Sequence, residues 1–369
     1  MASTTAIPWW VPQVGAEERD LLLRVVDSNY LNEGDVTAEF ERKAADMFGA
    51  AHGVATTSGT SALFLALAAL GIGHGDEVIV PDVTFIATAN AVTLTGATPV
   101  LIDVNPDTLT IDATAIEAAI TPRTRAVVPV HISGRAAPMD EILDVSRRRG
   151  IAVVEDAAEA LDSKHRGRVL GTFGIAGCFS FSPNKTMTTG QGGLVVTDDG
   201  AVARRLRELK DQGRPVRGTG GNDVHDALGF NFKLTNLQGA VGVAQLAKLK
   251  TRAAHQRDVY RWYAAGLADV ADLRLLPFNV DQGETPQWVD AIARDRDALV
   301  EHLRRNDMHC RPFWFPIHTQ RPYARPDAGF PVSTRLMPSA VWLPSALPLT
   351  EADVRLVSDE VRRFYRGRA

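Results

Sequence analysis

Short apolar runs alternate with helical periodicity over roughly the first two thirds of the chain. Residues 151–154 form one such run without a polar interruption, which predicts a strand buried on both faces of a parallel sheet. Residues 76–104 read as strand, helix and strand at a spacing that fits a parallel βαβ unit. Three further runs predict strands, at residues 126–134, 178–181 and 194–197. The pattern therefore predicts an α/β fold whose central sheet is mostly parallel and sandwiched by helices.

Helical periodicity predicts two further elements of the same part of the chain. Residues 17–28 form an amphipathic helix, and residues 228–250 begin as a loop and become a long helix. The residues of the first helix expected to face the core are Leu21, Leu22, Val25 and Val26.

The composition changes after about Leu267, and the remaining chain predicts a smaller α/β domain. One exposed helix is expected over residues 296–305, and the last helix begins after Thr350 with an apolar face. The sequence thus predicts three parts, an N-terminal arm at 1–16, a large domain at 17–250 and a small C-terminal domain at 251–369.

The composition excludes several classes of function. Of 369 residues, 45% are hydrophobic and 23% are charged, which suffices to bury a large core. The formal net charge of −4 provides no general basic field for nucleic acid or an anionic membrane. The two cysteines, Cys178 and Cys310, form no disulfide framework and no metal-binding spacing. Because no signal core or membrane-spanning run is found, we expect a protein of the cytoplasm without a metal site.

A lysine and a carboxylate near strand ends are the first candidates for chemistry. Glu155 and Asp156 close the run at 151–154, and acids at the carboxyl end of a parallel strand lie where open α/β folds bind ligands. Lys185 stands in a turn between two strand-like runs. A lysine can hold an aldehyde cofactor as a Schiff base, and pyridoxal phosphate also needs a carboxylate for its pyridinium nitrogen. Taken singly, Asp156 is more often a strand-end cap and Lys185 a solvated loop residue.

A glycine turn at Ser58, Gly59 and Thr60 precedes a predicted helix. Backbone N–H groups at a helix N-terminus and the positive end of the helix dipole form a ready site for an anion. The turn is therefore a candidate for a cofactor phosphate, although such residues are more commonly a simple N-cap.

Three motifs together resemble the sugar aminotransferase family of DegT/StrS type, within the fold-type-I pyridoxal phosphate enzymes. They are TSGTSALFLAL, EDAAEA and FSFSPNKTMTTGQGGLVVT, and their order and spacing are specific. The similarity covers nearly the whole chain. It implies the fold-type-I architecture and pyridoxal 5'-phosphate as cofactor, with pyridoxamine phosphate carrying the amino group between two half-reactions.

The resemblance implies roles in cofactor binding. Lys185 would form the covalent link and move a proton as general base and acid, and Asp156 would pair with the pyridinium nitrogen. Phe85 would stack on the ring, while Glu159 stands where many members have Gln or His against the phenolic oxygen. The cofactor phosphate would be held by Gly59, Thr60 and Ser180 of one subunit, together with Asn231 of the partner subunit.

The resemblance also implies a homodimer with active sites at the interface, because the loop with Asn231 and Lys233 reaches the partner's site in the family. Arg311 suits a nucleoside diphosphate since its guanidinium binds phosphate oxygens in pairs, and a structural ion pair is an equally open interpretation. The residues implied near the substrate are Tyr30, His131, Lys233, Arg311 and His318.

The implied reaction moves an amino group from L-glutamate to the keto carbon of a nucleoside-diphosphate-linked 6-deoxy-ketohexose, in amino-sugar biosynthesis for an antibiotic or polysaccharide. The motif NKTMTTG resembles the perosamine-synthase branch, which favours carbon 4, with carbon 3 also possible. Lys185 stands where some dehydratase relatives carry His, so sugar deoxygenation is rejected. Within the enzyme class, amination of a free cyclic ketone of the inosose type and aromatic amine synthesis stay open.

Two other classes of protein fit the sequence less well than an aminotransferase. A non-catalytic ligand-binding or regulatory protein on the same scaffold need not keep Lys185, Asp156 and Ser180, so their joint presence favours the enzyme. A nicotinamide oxidoreductase would need a glycine fingerprint after a strand, whereas the glycine-rich residues 217–223 follow none.

Overall fold

The computed structural model describes residues 6–215, residue 225 and residues 227–367. The glycine-rich run at 217–223 and residues 1–5 of the predicted arm lie outside the described residues. The elements up to the longest helix are α1 (Ala16–Asp27), α2 (Asp35–Phe48), β1 (His52–Thr56), α3 (Gly59–Ala69), β2 (Glu77–Pro81), α4 (Ala87–Leu94), β3 (Thr98–Ile102), α5 (Ala113–Ala119), β4 (Thr124–Val127), α6 (Met139–Arg149), β5 (Ala152–Asp156), β6 (Lys164–His165), β7 (Arg168–Val169), β8 (Ala176–Ser180), β9 (Gly193–Thr197), α7 (Gly200–Lys210) and α8 (Asn236–Gly266). The elements that follow are β10 (Leu273–Leu275), β11 (Asp290–Ala293), α9 (Arg296–Arg305), β12 (Arg311–Pro312), α10 (Pro331–Leu336), β13 (Ala340–Trp342) and α11 (Glu351–Arg366).

A seven-stranded sheet forms the centre of the larger unit, in the order β1-β9-β8-β5-β4-β2-β3. Strand β9 runs antiparallel to both of its neighbours, β1 and β8, and the other adjacent strands pair in parallel. Helices α3, α4 and α7 pack on one face, and α2, α5, α6 and the first half of α8 pack on the other. The predicted α/β fold with a mostly parallel sheet between helices is confirmed, and β2, α4 and β3 form the predicted βαβ unit.

Local interactions account for where several of these elements begin and end. Helix α3 starts after Ser58, whose hydroxyl accepts from the backbone N–H of Ser61 over 3.1 Å. Strand β5 continues through Glu155 and Asp156, because both residues pair with β8, so the prediction that they follow the strand was wrong. The predicted strand at 126–134 was also too long, because β4 ends at Val127 and only an isolated bridge between Val130 and Asp156 continues its pairing with the neighbouring strand.

The first helix buries a narrower face than its pattern predicts. Val25 is 3% exposed, whereas Val26 is 52% exposed, so the predicted inward orientation of Val26 was wrong. Helix α1 packs chiefly against α8, and a single helix covers only a narrow stripe of its surface.

The second unit is built on a four-stranded antiparallel sheet in the order β10-β11-β13-β12. Helices α9 and α11 cover this sheet together with the second half of α8. The predicted helix at 296–305 is confirmed as α9, and α11 begins after Thr350, whose hydroxyl accepts from the N–H of Asp353 over 3.2 Å. None of the helices in the described part of the chain has the length and apolar character needed to cross a bilayer.

Helix α8 runs through the predicted domain boundary at residue 250. Its first half contributes Leu246 and Leu249 to the core beneath α2, and its second half contributes Val259 and Tyr263 to the core of the second unit. The domain limits therefore stay predictions, and α8 is one continuous element common to both units.

A buried carboxylate fixes the start of α1 to α8. Oε2 of Glu18 accepts from the N–H of Gly15 over 2.7 Å, and Oε1 accepts from Gln245 and Lys248, each over 2.7 Å. Although burial opposes ionisation, the hydrogen bonds from Lys248, Gln245 and Gly15 lower the pKa of Glu18 to about 2.

Glu18→Gln is expected to lower the free energy of unfolding by roughly 2 kcal/mol at neutral pH. Because the pKa of Glu18 in the folded protein lies below the ordinary glutamate value of 4.5, the stabilisation is complete above pH 4.5 and disappears as the pH falls towards 2. Urea unfolding at pH 7 and pH 3.5 measures both values, with the exposed neighbour in Glu17→Gln as the smaller-effect control. Equal losses at both pH values would contradict an electrostatic origin.

Candidate active site

A cavity of about 300 Å³ opens at the carboxyl ends of β5 and β8 and extends to the second unit. Its wall combines strand-end residues of the central sheet, the N-terminus of α3, and side chains of β12 and the segment that follows it. Eight of the predicted site residues line it, namely Gly59, Thr60, Phe85, Asp156, Glu159, Ser180, Lys185 and Arg311. The structure thus brings together most of the residues expected to contact the cofactor.

Lys185 lies in the turn between β8 and β9, with its amine inside the cavity. Its backbone N–H donates to the carbonyl of Ser182 over 3.0 Å, and its side chain is only 10% exposed. Nζ lies 3.3 Å from Oε1 of Glu159 and 5.0 Å above the ring of Trp288. An ion pair and a cation–π contact therefore hold the amine away from bulk water.

Asp156 is the last residue of β5 and presents a buried carboxylate to the cavity. Oδ2 accepts from the hydroxyl of Thr88 over 2.8 Å, and Oδ1 accepts from the N–H of Ala158 over 3.1 Å. Burial raises the pKa of Asp156, against the opposing effect of these hydrogen bonds and of the Lys185 charge. A cation placed against this carboxylate would stabilise its ionised form.

Glu159 is held within ion-pair distance of the amine. Its Oε2 accepts from the N–H of Ser133 over 2.8 Å, and Ser133 has the left-handed backbone angle φ of 53°. Burial raises the pKa of Glu159, while the nearby Lys185 ammonium favours the ionised form. The carboxyl group is thus fixed in direction by the backbone and faces the lysine.

The N-terminus of α3 and Ser180 form a tight cradle. A Cβ atom on Gly59 would lie 2.8 Å from Cβ of Ser180, so only glycine permits this approach. The first-turn N–H groups at Gly59 and Thr60 have no acceptor within the helix. The hydroxyls of Ser180 and Ser182 lie 3.1 Å apart beside them, which supplies further donors for an anion.

Aromatic side chains form the wall towards the second unit. Phe85 is 52% exposed in the cavity, so it is no core residue, and its ring centroid lies 5.7 Å from that of Trp314. The guanidinium of Arg311 lies 4.9 Å over the ring of Trp9 from the N-terminal arm. This wall offers ring faces for stacking and one fixed cation at its edge.

The two predicted histidines are buried outside the cavity lining. Nδ1 of His131 accepts from the N–H of Ala137 over 3.1 Å, which leaves Nε2 as donor to Glu155 over 2.9 Å. Nδ1 of His318 lies 2.6 Å from Oδ2 of Asp82. Both side chains are fully buried, so in this conformation neither reaches a substrate, and both brace the loops around the cavity.

The remaining predicted residues lie on the surface or near it, away from the cavity of this chain. Tyr30 is 57% exposed, and its carbonyl accepts from Asn236 over 3.2 Å. Asn231 is exposed, and its backbone pairs with that of Asp211 in an isolated β-bridge. Lys233 forms an ion pair with the same aspartate. A role for these residues at a subunit interface stays a prediction.

Sequence reasoning missed several residues that the structure places at the site. Thr88, in the first turn of α4, lies three residues after Phe85, a spacing that could have directed attention to it. Trp314, Trp288 and Ser133 come from segments far from the lysine motif, and no motif marks them. Among the described residues, no group of three or more His, Cys, Asp or Glu side chains is arranged to hold a metal ion.

The residues at the cavity fit pyridoxal phosphate. A buried carboxylate matches a pyridinium nitrogen, an enclosed amine matches an aldehyde, and a half-exposed phenyl ring matches an aromatic ring. The cradle at Gly59 and Ser180 matches a phosphate, because a Cβ would fill the space. These four groups line one cavity, which no single motif of the sequence guarantees.

Comparison with known proteins agrees with this arrangement. The chain matches the DegT/DnrJ/EryC1/StrS aminotransferase family over residues 12–362. GDP-perosamine synthase of Caulobacter vibrioides is 39% identical over 352 residues, which are 93% of this chain and 94% of the relative. The solved structure of S. venezuelae DesV is 35% identical with a TM-score of 0.90, covering 94% of both chains. The structure of 3-amino-5-hydroxybenzoic acid synthase is 29% identical with a TM-score of 0.92, covering 99% of this chain and 100% of the other.

The match spans nearly the whole chain in sequence and in structure, including the turn that carries Lys185. The chain therefore belongs to the DegT/DnrJ/EryC1/StrS aminotransferase family of pyridoxal-phosphate-dependent enzymes.

Proposed function

We propose that this enzyme transfers an amino group from L-glutamate to carbon 4 of a nucleoside-diphosphate-linked 6-deoxy-ketohexose. The observation that carries the proposal is the enclosed amine of Lys185, which shares one cavity with the carboxylate of Asp156 and the cradle at Gly59. The 39% identity to a relative named GDP-perosamine synthase supports a nucleotide sugar as substrate. Carbon 3 is the second candidate position.

The side chains at the cavity divide the work of the reaction among them. When bound, pyridoxal phosphate supplies an electron sink that weakens the C–H bond beside the transferred nitrogen. Nζ of Lys185 would accept that proton as general base and, as general acid, deliver it to the cofactor carbon that carries the nitrogen, and it would move a proton in the opposite direction when the keto sugar is aminated. Asp156 would hold the ring nitrogen by charge, and Gly59 and Ser180 would hold the phosphate. Phe85 packs against the ring and, with the neighbouring aromatic wall, excludes water from the reacting carbon.

The orientation of Glu159 supports a role next to the amine. Ser133 fixes one carboxyl oxygen, and the other lies 3.3 Å from Nζ of Lys185. We infer that Glu159 keeps the free ammonium aimed into the cavity when the lysine is not covalently linked. Arg311, which is exposed at the edge of the cavity, is the candidate for the substrate diphosphate.

We further propose a homodimer that works in the cytoplasm. The exposed positions of Tyr30 and Asn231 support the dimer, since in this chain they lie outside the cavity lining and are free to meet a second copy. Lys233 belongs to the same loop. In the dimer, Asn231 and Lys233 would complete the partner's site for phosphate and substrate.

Two alternatives within the family use the same cavity. The 29% identity to 3-amino-5-hydroxybenzoic acid synthase favours an aromatic amine synthase as the second candidate, and a free cyclic ketone is a third. A non-catalytic binding protein is less well supported, because Lys185, Asp156 and Ser180 share the cavity in a chemically competent set.

Amino compounds offered as reverse substrates distinguish these possibilities. With pyridoxal phosphate bound, a nucleoside-diphosphate-linked 4-amino-4,6-dideoxyhexose should shift the visible absorption band and yield the keto sugar, detectable by mass spectrometry. The 3-amino isomer, an aminocyclitol and an aromatic amine serve as comparisons. A band shift with the aminocyclitol or aromatic amine alone would exclude the nucleotide sugar, and no shift with any compound or glutamate would favour a binding protein.

A further inference from the structure

One face of α8 presents buried polar side chains to the turn that carries Lys185. Gln245, Arg252 and Gln256 are spaced by seven and four residues, which places them on the same side of the helix. They are 0%, 7% and 3% exposed, respectively. Because burying such groups costs free energy unless hydrogen bonds replace water, their partners indicate what this face does.

The buried polar face of α8 holds Thr186, the residue after Lys185, at two of its atoms. Arg252 donates to the carbonyl oxygen of Thr186 over 3.1 Å, and the hydroxyl of Thr186 donates to Oε1 of Gln256 over 3.1 Å. Oε1 of Gln245 accepts from the backbone N–H of Thr188 over 3.2 Å. Backbone positions 186 and 188 are therefore both fixed to α8.

The same face is connected to the ion-pair partner of the lysine. Gln256 donates to the carbonyl of Gln287 over 2.9 Å, and the N–H of Gln287 donates to the carbonyl of Ser133 over 2.8 Å. The N–H of Ser133 donates to Glu159, whose other oxygen faces Nζ of Lys185. Hydrogen bonds thus run in a closed circuit from the backbone beside Lys185 to the end of its side chain.

Arg252 extends this circuit to the N-terminal arm. One terminal nitrogen donates to the carbonyl of Gln13 over 2.9 Å, and the other also donates to Gln245 over 2.5 Å. Gln245 in turn donates to Gln13 over 2.8 Å and to Glu18 over 2.7 Å. The arm, α8 and the lysine turn are therefore held by shared side chains.

The chemistry of Arg252 indicates a geometric role. Among the described residues no carboxylate is hydrogen-bonded to its guanidinium, and burial lowers the pKa of Arg252. Only a planar fork with several donors reaches the acceptors at Gln13, Thr186 and Gln245 at once, which a lysine ammonium on a flexible stem cannot do with the same rigidity.

We propose that Arg252 and Gln256 are positioning residues for Lys185. They fix the backbone at Thr186 and, through Gln287 and Ser133, the carboxyl group that faces the amine. The lysine is thereby kept aimed into the cavity, and docking of the arm at Gln13 contributes to its alignment. This inference rests on the proposed role of Lys185 as the residue that forms the covalent link.

Hydrogen exchange of the cofactor-free protein tests the circuit directly. Arg252→Met and Gln256→Leu should each speed exchange of the amides at 185–189 by at least about tenfold, while exchange in β2 and α11 stays at the wild-type rate. Arg252→Lys keeps the positive charge but loses the planar guanidinium, so it should speed exchange at 185–189 as Arg252→Met does. Lys250→Met, at an exposed position of the same helix, should leave exchange at 185–189 unchanged.

The cofactor-loaded enzyme gives a second readout. Thr186→Val removes one hydroxyl at nearly constant volume, so it should lower kcat for amino-group transfer from glutamate about tenfold with KM unchanged. It should also move the pH midpoint of the visible absorption change by about half a unit or more. Thr186→Ser keeps the hydroxyl and should retain wild-type kcat and midpoint.

Specific outcomes would overturn this proposal. Wild-type exchange at 185–189 in both Arg252→Met and Gln256→Leu would do so, as would a uniform rise in exchange along the whole chain. If Arg252→Met fails to fold, equal kcat values for Thr186→Val and Thr186→Ser would overturn it. Absence of any covalent link in the wild-type protein would instead overturn the role of Lys185, and exchange in the cofactor-free variants would still decide whether α8 orders the turn.

Discussion

Lys185→Ala is expected to lower the rate of amino-group transfer by at least about 10³-fold. The variant loses covalent attachment of the cofactor and proton transfer together, because one amine performs both. The lining of the cavity in the described part of the chain contains no second lysine that could replace it. Rates measured with glutamate, excess pyridoxal phosphate and a nucleotide-linked keto sugar give the size of the loss.

Borohydride reduction connects this loss to the covalent bond. The wild-type peptide that contains Lys185 should gain the mass of the reduced cofactor, and the same peptide of Lys185→Ala should not. Lys185→Arg keeps a positive charge beside Glu159 but cannot form an imine, so its activity should be as low. Lys250→Ala, exposed on α8, should keep both label and activity. A label on another peptide, or activity in Lys185→Ala, would contradict the assignment.

The parts of the fold that were predictable are those in which local pattern and tertiary burial agree. Helix α9 and the start of α11 at Thr350 follow from periodicity and capping, which depend on neighbours in sequence. The failures have non-local causes. Val26 faces solvent because α1 packs chiefly against α8 with the other side of the helix, and β5 extends through Asp156 because β8 lies beside it.

The same distinction between local and non-local causes applies to the residues of the candidate site. The motif around Lys185 and the turn at Gly59 each depend on a short segment, so the sequence alone could mark both as candidates, and the structure places them at one cavity, while their roles stay predictions. The contact between Lys185 and Glu159 and the support from Thr88 to Asp156 depend on how distant segments pack. Neither follows from spacing along the chain.

The two histidines illustrate why position near a strand end does not suffice to assign a role. His131 follows β4 and His318 lies after β12, so both occupy loops next to the cavity. Each nevertheless directs its ring to a buried carboxylate, Glu155 or Asp82. A residue can thus support a site by fixing the loop that carries it, and only the direction of the side chain distinguishes this from contact with a ligand.

Asp156→Asn is expected to change activity and the stability of the cofactor-free protein in opposite directions. The neutral amide cannot pair with a pyridinium cation, so the rate of amino-group transfer should fall by about 10²–10³-fold and the Kd for pyridoxal phosphate should rise. Without cofactor, the carboxylate of Asp156 is a buried charge whose pKa is raised by burial. Above the ordinary aspartate pKa of 3.8 the folded protein therefore binds more protons than the unfolded chain, and its stability falls as the pH rises.

Asparagine can keep the local hydrogen bonds while removing that charge. Its oxygen can accept from Ala158, and its amide group can donate to Thr88, whose hydroxyl already lies 2.8 Å from that of Thr84. Thermal unfolding of cofactor-free samples from pH 4 to pH 8 should consequently show a smaller decline for Asp156→Asn than for wild type. Asp46→Asn, at an exposed position of α2, should follow wild type in both stability and rate. Parallel pH profiles of stability for wild type and Asp156→Asn would mean that the buried charge of Asp156 does not lower the free energy of unfolding. An unchanged rate of amino-group transfer would mean that Asp156 does not belong to the cofactor site.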